Sequence, residues 1–293
     1  MNVVKENAYA KINLFLDVLS RRDDGFHSIS TVMHSVSLCD LVTVQTEGRK
    51  GGGVRIMLEG NRRLPADGRN LAVMAANEFL KAAAIDTDVT IKLNKRIPIA
   101  AGLAGGSSNA AAVLRALNKL FKRPFTDKML LNIAARLGSD VPYCLVGGTA
   151  LCEGRGEKIT RLKSIPTLHT VISIARERVS TPFAYATLDA MYSSFDGSVS
   201  TGGNDAYSEL VFALNTGKLP TTLFNIFENA ILPECPGASH IKKRMLELGA
   251  TQSLMSGSGP SVFGIFADEK CAKAAMDRLR GEGFLAYYAK SVN

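Results

Sequence analysis

Between Pro98 and Asn109 the chain reads Pro-Ile-Ala-Ala-Gly-Leu-Ala-Gly-Gly-Ser-Ser-Asn and runs straight into an apolar stretch with helical spacing, 110–120. A loop of small residues lets backbone N–H groups approach an anion closely. The positive end of a following helix adds a favourable field where those groups have no internal partner. The chemistry is phosphate binding. Ser107 and Ser108 at the helix start can donate hydroxyl hydrogen bonds to phosphate oxygens, or one of them can supply an oxygen to Mg2+. No Lys follows the glycines, so the segment is not G-x-x-x-x-G-K-S/T, and its spacing is not G-x-G-x-x-G either. An ordinary helix N-cap accounts for Ser107 to Asn109 but leaves the glycines before them unexplained.

Three other places carry polar groups that ask for a reason. Lys11 stands between Ala10 and the run Ile12-Asn13-Leu14-Phe15-Leu16, where a charge needs a partner. Asp140 follows Gly138-Ser139 and precedes Val141-Pro142, the position of a turn former or of a functional carboxylate. Phe26 and His27 follow the Asp24-Gly25 turn. An aromatic face and an adjacent imidazole can stack on a base and hydrogen-bond its edge; otherwise they are a core aromatic and a satisfied surface histidine.

Taken together these segments resemble the GHMP kinase superfamily, whose phosphate loop has the form P-x-x-x-G-L-(G/A)-(G/S)-S-S. Ala8-Tyr-Ala-Lys-Ile-Asn-Leu-Phe-Leu16 and Ser256-Gly-Ser-Gly-Pro-Ser261 resemble its first and third motifs, in order and in spacing. The likeness is nearest to the branch that acts on a cytidine diphosphate derivative in the non-mevalonate route to isoprenoid precursors. It rests on Ala10-Lys-Ile-Asn-Leu14, Asp24-Gly-Phe-His27, Gly102-Leu-Ala-Gly-Gly-Ser-Ser-Asn-Ala110 and Leu137-Gly-Ser-Asp-Val-Pro142. Branches for mevalonate, galactose or homoserine lack the Asp-Gly-Phe-His element.

The resemblance implies an ATP-dependent kinase acting on a hydroxyl of that derivative, with Lys11 and Asp140 as the catalytic pair. Phosphoryl transfer needs an oriented hydroxyl, a carboxylate to take its proton and positive charge on the developing anion. Asp140 is the implied base and Lys11 its electrostatic partner. The implied ATP contacts are Pro98, Ile99, Ala100, Ala101, Gly102, Leu103, Ala104, Gly105, Gly106, Ser107 and Ser108, with Asn70, Leu71 and Lys95 near the adenine. The implied substrate contacts are Asn13, Phe26, His27, Thr181 and Tyr185, the last covering the second face of the base. Mg2+ is expected on the ATP phosphates with one or two protein oxygens, Ser107 or Ser108 among them. Ala101 and Ala104 stand where many members have glycine, and they are expected to keep φ below zero. A kinase for mevalonate, homoserine or a sugar is the nearest alternative, and a non-catalytic RNA-binding protein is the further one.

Elements of both kinds must position these residues. Strand-like runs cover 8–19, 28–38, 41–45 and 54–58, followed by a helix over 70–84 and a strand over 88–93. Helices over 110–120 and 126–137 and a strand over 147–152 complete a first lobe. The second half reads as a strand (168–175), helices (182–191, 206–214, 223–231, 238–248), strands (252–255, 261–266), a helix (269–280) and a last strand (284–290). That is an α+β fold whose second half reads as a ferredoxin-like split βαβ; the resemblance implies residues 1–155 as an ATP-binding and catalytic lobe of ribosomal-protein type and 156–293 as the substrate-side lobe. Residues 193–203, rich in Ser and Gly, read as a flexible loop.

Composition narrows the partners. Hydrophobic residues make up 46% of the 293 and charged residues 21%, the balance of a globular protein rather than a disordered one. The net charge of +8 suits a polyanionic or phosphorylated partner, yet Lys and Arg are scattered, which argues against nucleic acid. Five widely spaced cysteines without a C-x-x-C pair indicate neither a disulfide framework nor a zinc site. The N-terminal residues show no secretory signal, and no run is apolar enough for a membrane span. A cytosolic enzyme, monomeric or homodimeric, is expected.

Overall fold

A computed structural model describes residues 2–47, 51, 53–59, 64–163, 165–192, 203–216, 218 and 222–292. The chain forms two compact units from interleaved segments: residues 1–10, 39–99 and 104–146 in one, and residues 11–38, 100–103 and 147–293 in the other. The reason is the pair of 20-residue strands that open the chain, β1 (Asn2–Arg21) and β2 (His27–Thr46). Each contributes to both units, so the units do not follow a single cut near residue 155.

In the first unit, β3 (Val54–Glu59) pairs in parallel with β4 (Val89–Asn94), and β4 pairs antiparallel with Leu41–Thr46 of β2. Buried and half-buried residues alternate along that part of β2, as a strand with one face on a core requires. The face is covered by α1 (Leu71–Ala83), α2 (Gly105–Leu120) and α3 (Asp127–Leu137), with short α4 (Val141–Val146) behind them. The starts of α1 and α3 have a local cause. Asn70 Oδ1 accepts from Ala72 N at 3.0 Å, and Thr126 Oγ1 caps α3 from Met129 N, contacts worth about 1 kcal/mol apiece. Phe79 is fully buried at the centre, edge-on to Phe125 at 5.0 Å; truncating it to Ala would cost roughly 3–5 kcal/mol.

In the second unit, β5 (Thr149–Gly154) pairs with Ile29–His34 of β2 and carries β6 (Lys158–Arg161) on its other edge. A four-stranded antiparallel sheet follows, in the order β11-β7-β10-β9, from β7 (His169–Ile174), β9 (Gln252–Met255), β10 (Ser261–Phe266) and β11 (Leu285–Lys290). Helices α8 (Pro236–Glu247) and α9 (Glu269–Gly281) complete the expected split βαβ arrangement. The central strand β10 is buried at every position, which is why it reads as a run rather than an alternation. Between β7 and α8 are inserted α5 (Thr181–Met191), α6 (Gly203–Thr216), a two-residue strand β8 (Phe224–Asn225) and α7 (Phe227–Ile231).

Three expectations are corrected. The strands expected over 28–38 and 41–45 are one, because the Asp40 side chain between them is buried and fully hydrogen-bonded rather than turned to water. The helix expected over 223–231 begins as a strand, β8, in parallel register with β1 at Phe15↔Phe224 and Leu16↔Asn225. The helix expected over 110–120 starts at Gly105, inside the glycine segment. The loop expected over 193–203 lies outside the described residues except for Gly203, which opens α6.

Candidate active site

Within the second unit, β1 carries Lys11 into the interior, where it is 4% exposed. Its ammonium donates to Asn13 Oδ1 at 2.6 Å and to the carbonyl of Gly102 at 2.7 Å. The expected partner of this charge therefore includes the backbone of the glycine loop itself. The third motif closes on the same group: Ser256 Oγ donates to Gly102 O at 3.1 Å and lies 3.4 Å from Asn13 Oδ1, and Ser261 Oγ donates to Ala101 O. A Cβ on Gly102 would meet Ser256 O at 2.2 Å, and one on Gly257 would lie 3.2 Å from Lys11 Nζ. Glycine is needed at both places because two backbones and an ammonium meet there, and both have positive φ.

Asn225, which carried no signal in the sequence beyond its polarity inside an apolar run, fixes this turn. Buried on β8, it donates from Nδ2 to Met255 O at 2.7 Å and Gly257 O at 2.9 Å, while its Oδ1 accepts from Phe227 N at 3.0 Å. The Glu228 carboxylate also accepts from Met255 N at 2.9 Å.

A second group in the same unit surrounds His27. Its Nε2 lies 2.7 Å from Asp189 Oδ1, and its ring stacks on Tyr185 at 4.6 Å and 18°. Tyr185 in turn meets Phe227 edge-on at 4.9 Å. Asp189 and Phe227 were not among the residues expected here. Phe26 is 52% exposed with the Arg155 guanidinium 4.9 Å from its ring centroid, so it is not a core aromatic. Thr181 lies at the start of α5, its hydroxyl 3.1 Å from Ser258 Oγ. Unit two thus brings His27 together with Tyr185, and Lys11 together with Asn13 and the loop carbonyls.

The first unit holds the rest. α2 begins behind Ala104, which is left-handed at φ 54 and offers no capping side chain, and no acidic residue stands in the first turn. A 16-residue helix whose start is uncapped and unopposed by negative charge fits an anion such as a phosphate. The expectation that Ala104 keeps φ below zero is therefore corrected. Ala100 is also left-handed, at φ 53, whereas Ala101 is not.

The two serines separate. Ser108 is 1% exposed and its hydroxyl donates to Tyr9 O at 2.7 Å, so its proton is committed to the backbone of β1. Ser107 is half-buried, with no side-chain hydrogen bond among the described residues. Asn70 spends its amide on capping α1 and on Pro65 O at 2.8 Å, and Leu71 packs beside Gly106. The Lys95 side chain is 4% exposed and ion-paired with the buried Asp40, so its ammonium is committed to the protein. Burial pushes the amine below its usual pKa while Asp40 pulls the other way. Asp140 is a half-buried turn residue whose carbonyl accepts from Cys144 N at 3.0 Å, and its carboxylate has no hydrogen bond or ion pair among the described residues. Such a carboxylate is available to accept a proton. Among the described residues no group of three or more His, Cys, Asp or Glu could hold a metal ion, and no helix is long and apolar enough to cross a membrane.

Residues 70–148 match the GHMP kinases N terminal domain and residues 214–284 the GHMP kinases C terminal domain; the chain belongs to the GHMP kinases, with their mixed helix-and-sheet fold, and is an ATP-dependent phosphotransferase. Among individual relatives, it is 41% identical over 93% of its length to 4-diphosphocytidyl-2-C-methyl-D-erythritol kinase of Caldicellulosiruptor saccharolyticus, covering 91% of that protein. The kinase of the same name from Clostridium acetobutylicum is 36% identical with both chains fully covered. A crystal structure of 4-(cytidine 5'-diphospho)-2C-methyl-D-erythritol kinase superposes with a TM-score of 0.81 at 32% identity, over 99% of this chain and 100% of that one. Homoserine kinase from Cytophaga hutchinsonii shares the fold at a TM-score of 0.74 and 22% identity, covering 100% of this chain and 95% of its own.

Proposed function

We propose that the chain transfers the γ-phosphoryl group of ATP to the 2-hydroxyl of 4-diphosphocytidyl-2-C-methyl-D-erythritol, in the non-mevalonate supply of isoprenoid precursors. The observation that carries the substrate reading is the His27 cluster. A carboxylate holds the imidazole at 2.7 Å, an aromatic ring lies against its face, and Phe26 stands exposed beside it in sequence. Such a group suits a nucleobase and has no use with mevalonate, homoserine or a sugar. The names and full-length identity of the relatives support it further.

In this reading Asp140 accepts the proton of the acceptor hydroxyl as its oxygen bonds to the γ-phosphorus and the bond to the bridging oxygen of ADP breaks. Lys11 supplies positive charge to the developing anion, its ammonium held in place by Asn13 and Gly102. The amides at the start of α2 bind ATP phosphate oxygens. Mg2+ bound to those phosphates neutralises their charge, with Ser107 as the protein oxygen within the loop open to it. Asn13, Phe26, His27, Thr181 and Tyr185 bind the cytidine diphosphate derivative; Asn70 and Leu71 border the adenine. The enzyme works in the cytosol as a monomer or homodimer, on a small molecule and without nucleic acid or membrane.

The test is ADP release from purified protein with ATP, Mg2+ and a panel of 4-diphosphocytidyl-2-C-methyl-D-erythritol, mevalonate, homoserine and galactose, repeated with Asp140→Asn. Turnover confined to the cytidyl substrate and lost in the variant is expected. Turnover on another acceptor overturns the substrate, and retained turnover in the variant overturns the base.

A further inference from the structure

A carboxylate that the transfer step does not use lies at both ends of the nucleotide loop. Asp40 is 0% exposed. Its Oδ1 accepts from the backbone N–H groups of Arg96 at 2.7 Å and Ile97 at 2.8 Å. Its Oδ2 accepts from Asn109 Nδ2 at 2.7 Å and from the Lys95 ammonium. Arg96 and Ile97 are the two residues that lead into the Pro98 loop, and Asn109 lies one turn into α2. One side chain therefore ties the loop where it begins and where it becomes helix. Four donors fill the acceptor sites of an ionised carboxylate.

A negative charge buried near a site for phosphates would by itself oppose their binding. The Lys95 ammonium cancels it, and the cancellation is local: a Cβ on Gly105, the first residue of α2, would lie 2.8 Å from Lys95 Nζ and 3.0 Å from Ile97 Cγ2. The ion pair thus backs onto the start of the helix.

We propose that Asp40 is a positioning residue for ATP: through Arg96, Ile97 and Asn109 it fixes the ends of the 98–108 loop, and Lys95 keeps that anchor electrically neutral toward the phosphates. Neither side chain touches the nucleotide. The proposal rests on the reading of this loop as the ATP phosphate site, and it is independent of which alcohol is phosphorylated.

The experiment compares wild type, Asp40→Asn, Lys95→Met and the double variant, by calorimetric binding of a non-hydrolysable ATP analogue with Mg2+, by KM for each substrate and by thermal midpoint. Asp40→Asn is expected to weaken analogue binding and raise KM for ATP about tenfold, with KM for the acceptor unchanged within about twofold. Lys95→Met weakens nucleotide binding too, by leaving the carboxylate uncompensated, and adding Asp40→Asn restores part of the loss. A lower thermal midpoint with unchanged analogue affinity, or parallel rises in both KM values, overturns the proposal. If Asp40→Asn does not fold, Asn109→Ala is read in the same assay, where unchanged analogue binding is the overturning result. Wild-type protein that binds no ATP analogue removes the loop reading itself, an outcome distinct from any behaviour of the variants.

Discussion

The ammonium of Lys11 stands 2.7 Å from the carbonyl oxygen of Gly102, so a charge-assisted hydrogen bond joins the first motif to the glycine loop, beside the Lys11 N–H on Leu103 O at 3.2 Å. With Asn13 Oδ1 at 2.6 Å, the ammonium is held by side chain and backbone at once. Lys11→Met keeps the apolar stem and deletes the donors, leaving those two acceptors without that partner. It should lower stability by about 2 kcal/mol in urea unfolding. It should also cut kcat about a hundredfold, the loss typical of one group aimed at developing charge. Lys11→Arg should not rescue turnover, because a planar fork does not fit the place of a compact ammonium.

Two loop positions answer in opposite directions to a single methyl group. Gly102→Ala places a Cβ 2.2 Å from Ser256 O at a residue with φ 73, and backbone must move. A loss of about 3 kcal/mol or more is expected. Ala104→Gly relieves a left-handed alanine at φ 54 and should stabilise by on the order of 0.5–1 kcal/mol. Chemical denaturation midpoints of the two variants against wild type check both signs.

Asn225 holds the turn of the third motif without being part of it. Asn225→Ala removes the donors to Met255 O and Gly257 O and the acceptor for Phe227 N. A stability loss of about 2–3 kcal/mol should follow. Because Ser256 in that turn bonds Gly102 O, kcat should fall together with stability. Asn225→Asp keeps the acceptor alone and should recover little of either. Steady-state kinetics beside thermal melts of both variants decide the matter.

His34 ties β2 to the far end of the chain, its ring nitrogens 2.9 Å from Thr149 Oγ1 and 2.8 Å from Ser291 Oγ. Burial pushes its pKa from 6.5 down to about 4, because the charged form would lose its water. In the unfolded chain the ring takes up a proton near pH 6.5, and in the folded chain only near pH 4. Its contribution is therefore complete above pH 6.5 and is lost as pH falls through that window, amounting to roughly 3 kcal/mol. Stability measured from pH 7.5 to 4 should fall with this slope in wild type, and the slope should be shallower in His34→Gln.

What the sequence revealed and what it hid follow from the range of the interactions. The glycine segment, Lys11 and His27 stand out in the sequence because each puts a polar or small residue where local pattern gives it no reason to be. Strands β9 and β10 fall on the expected residues because glycine and proline turns bound them. Asp40 was not legible: an acidic residue between two apolar runs reads as a break, and only the donors of Arg96, Ile97 and Asn109 make it part of a continuous strand. Asn225 was hidden for the same reason, since its strand exists only through a parallel partner in β1. Ser107 and Ser108, adjacent and chemically identical, could be told apart only once one of them met Tyr9 O. Ala104 went the other way from expectation because propensity forbids little that a well-packed loop requires.

The clasp between His34 and Ser291 spans 257 positions, and residues 35–37 are bonded to Val292, Ser291 and Lys290 in turn. During synthesis on the ribosome, β2 is made long before residues 290–292 and must wait for them before that side of it is filled. A long strand with an open flank is a place where another chain can add itself. That flank of β2 is thus open to misassembly until β11 and the residues just after it emerge and dock.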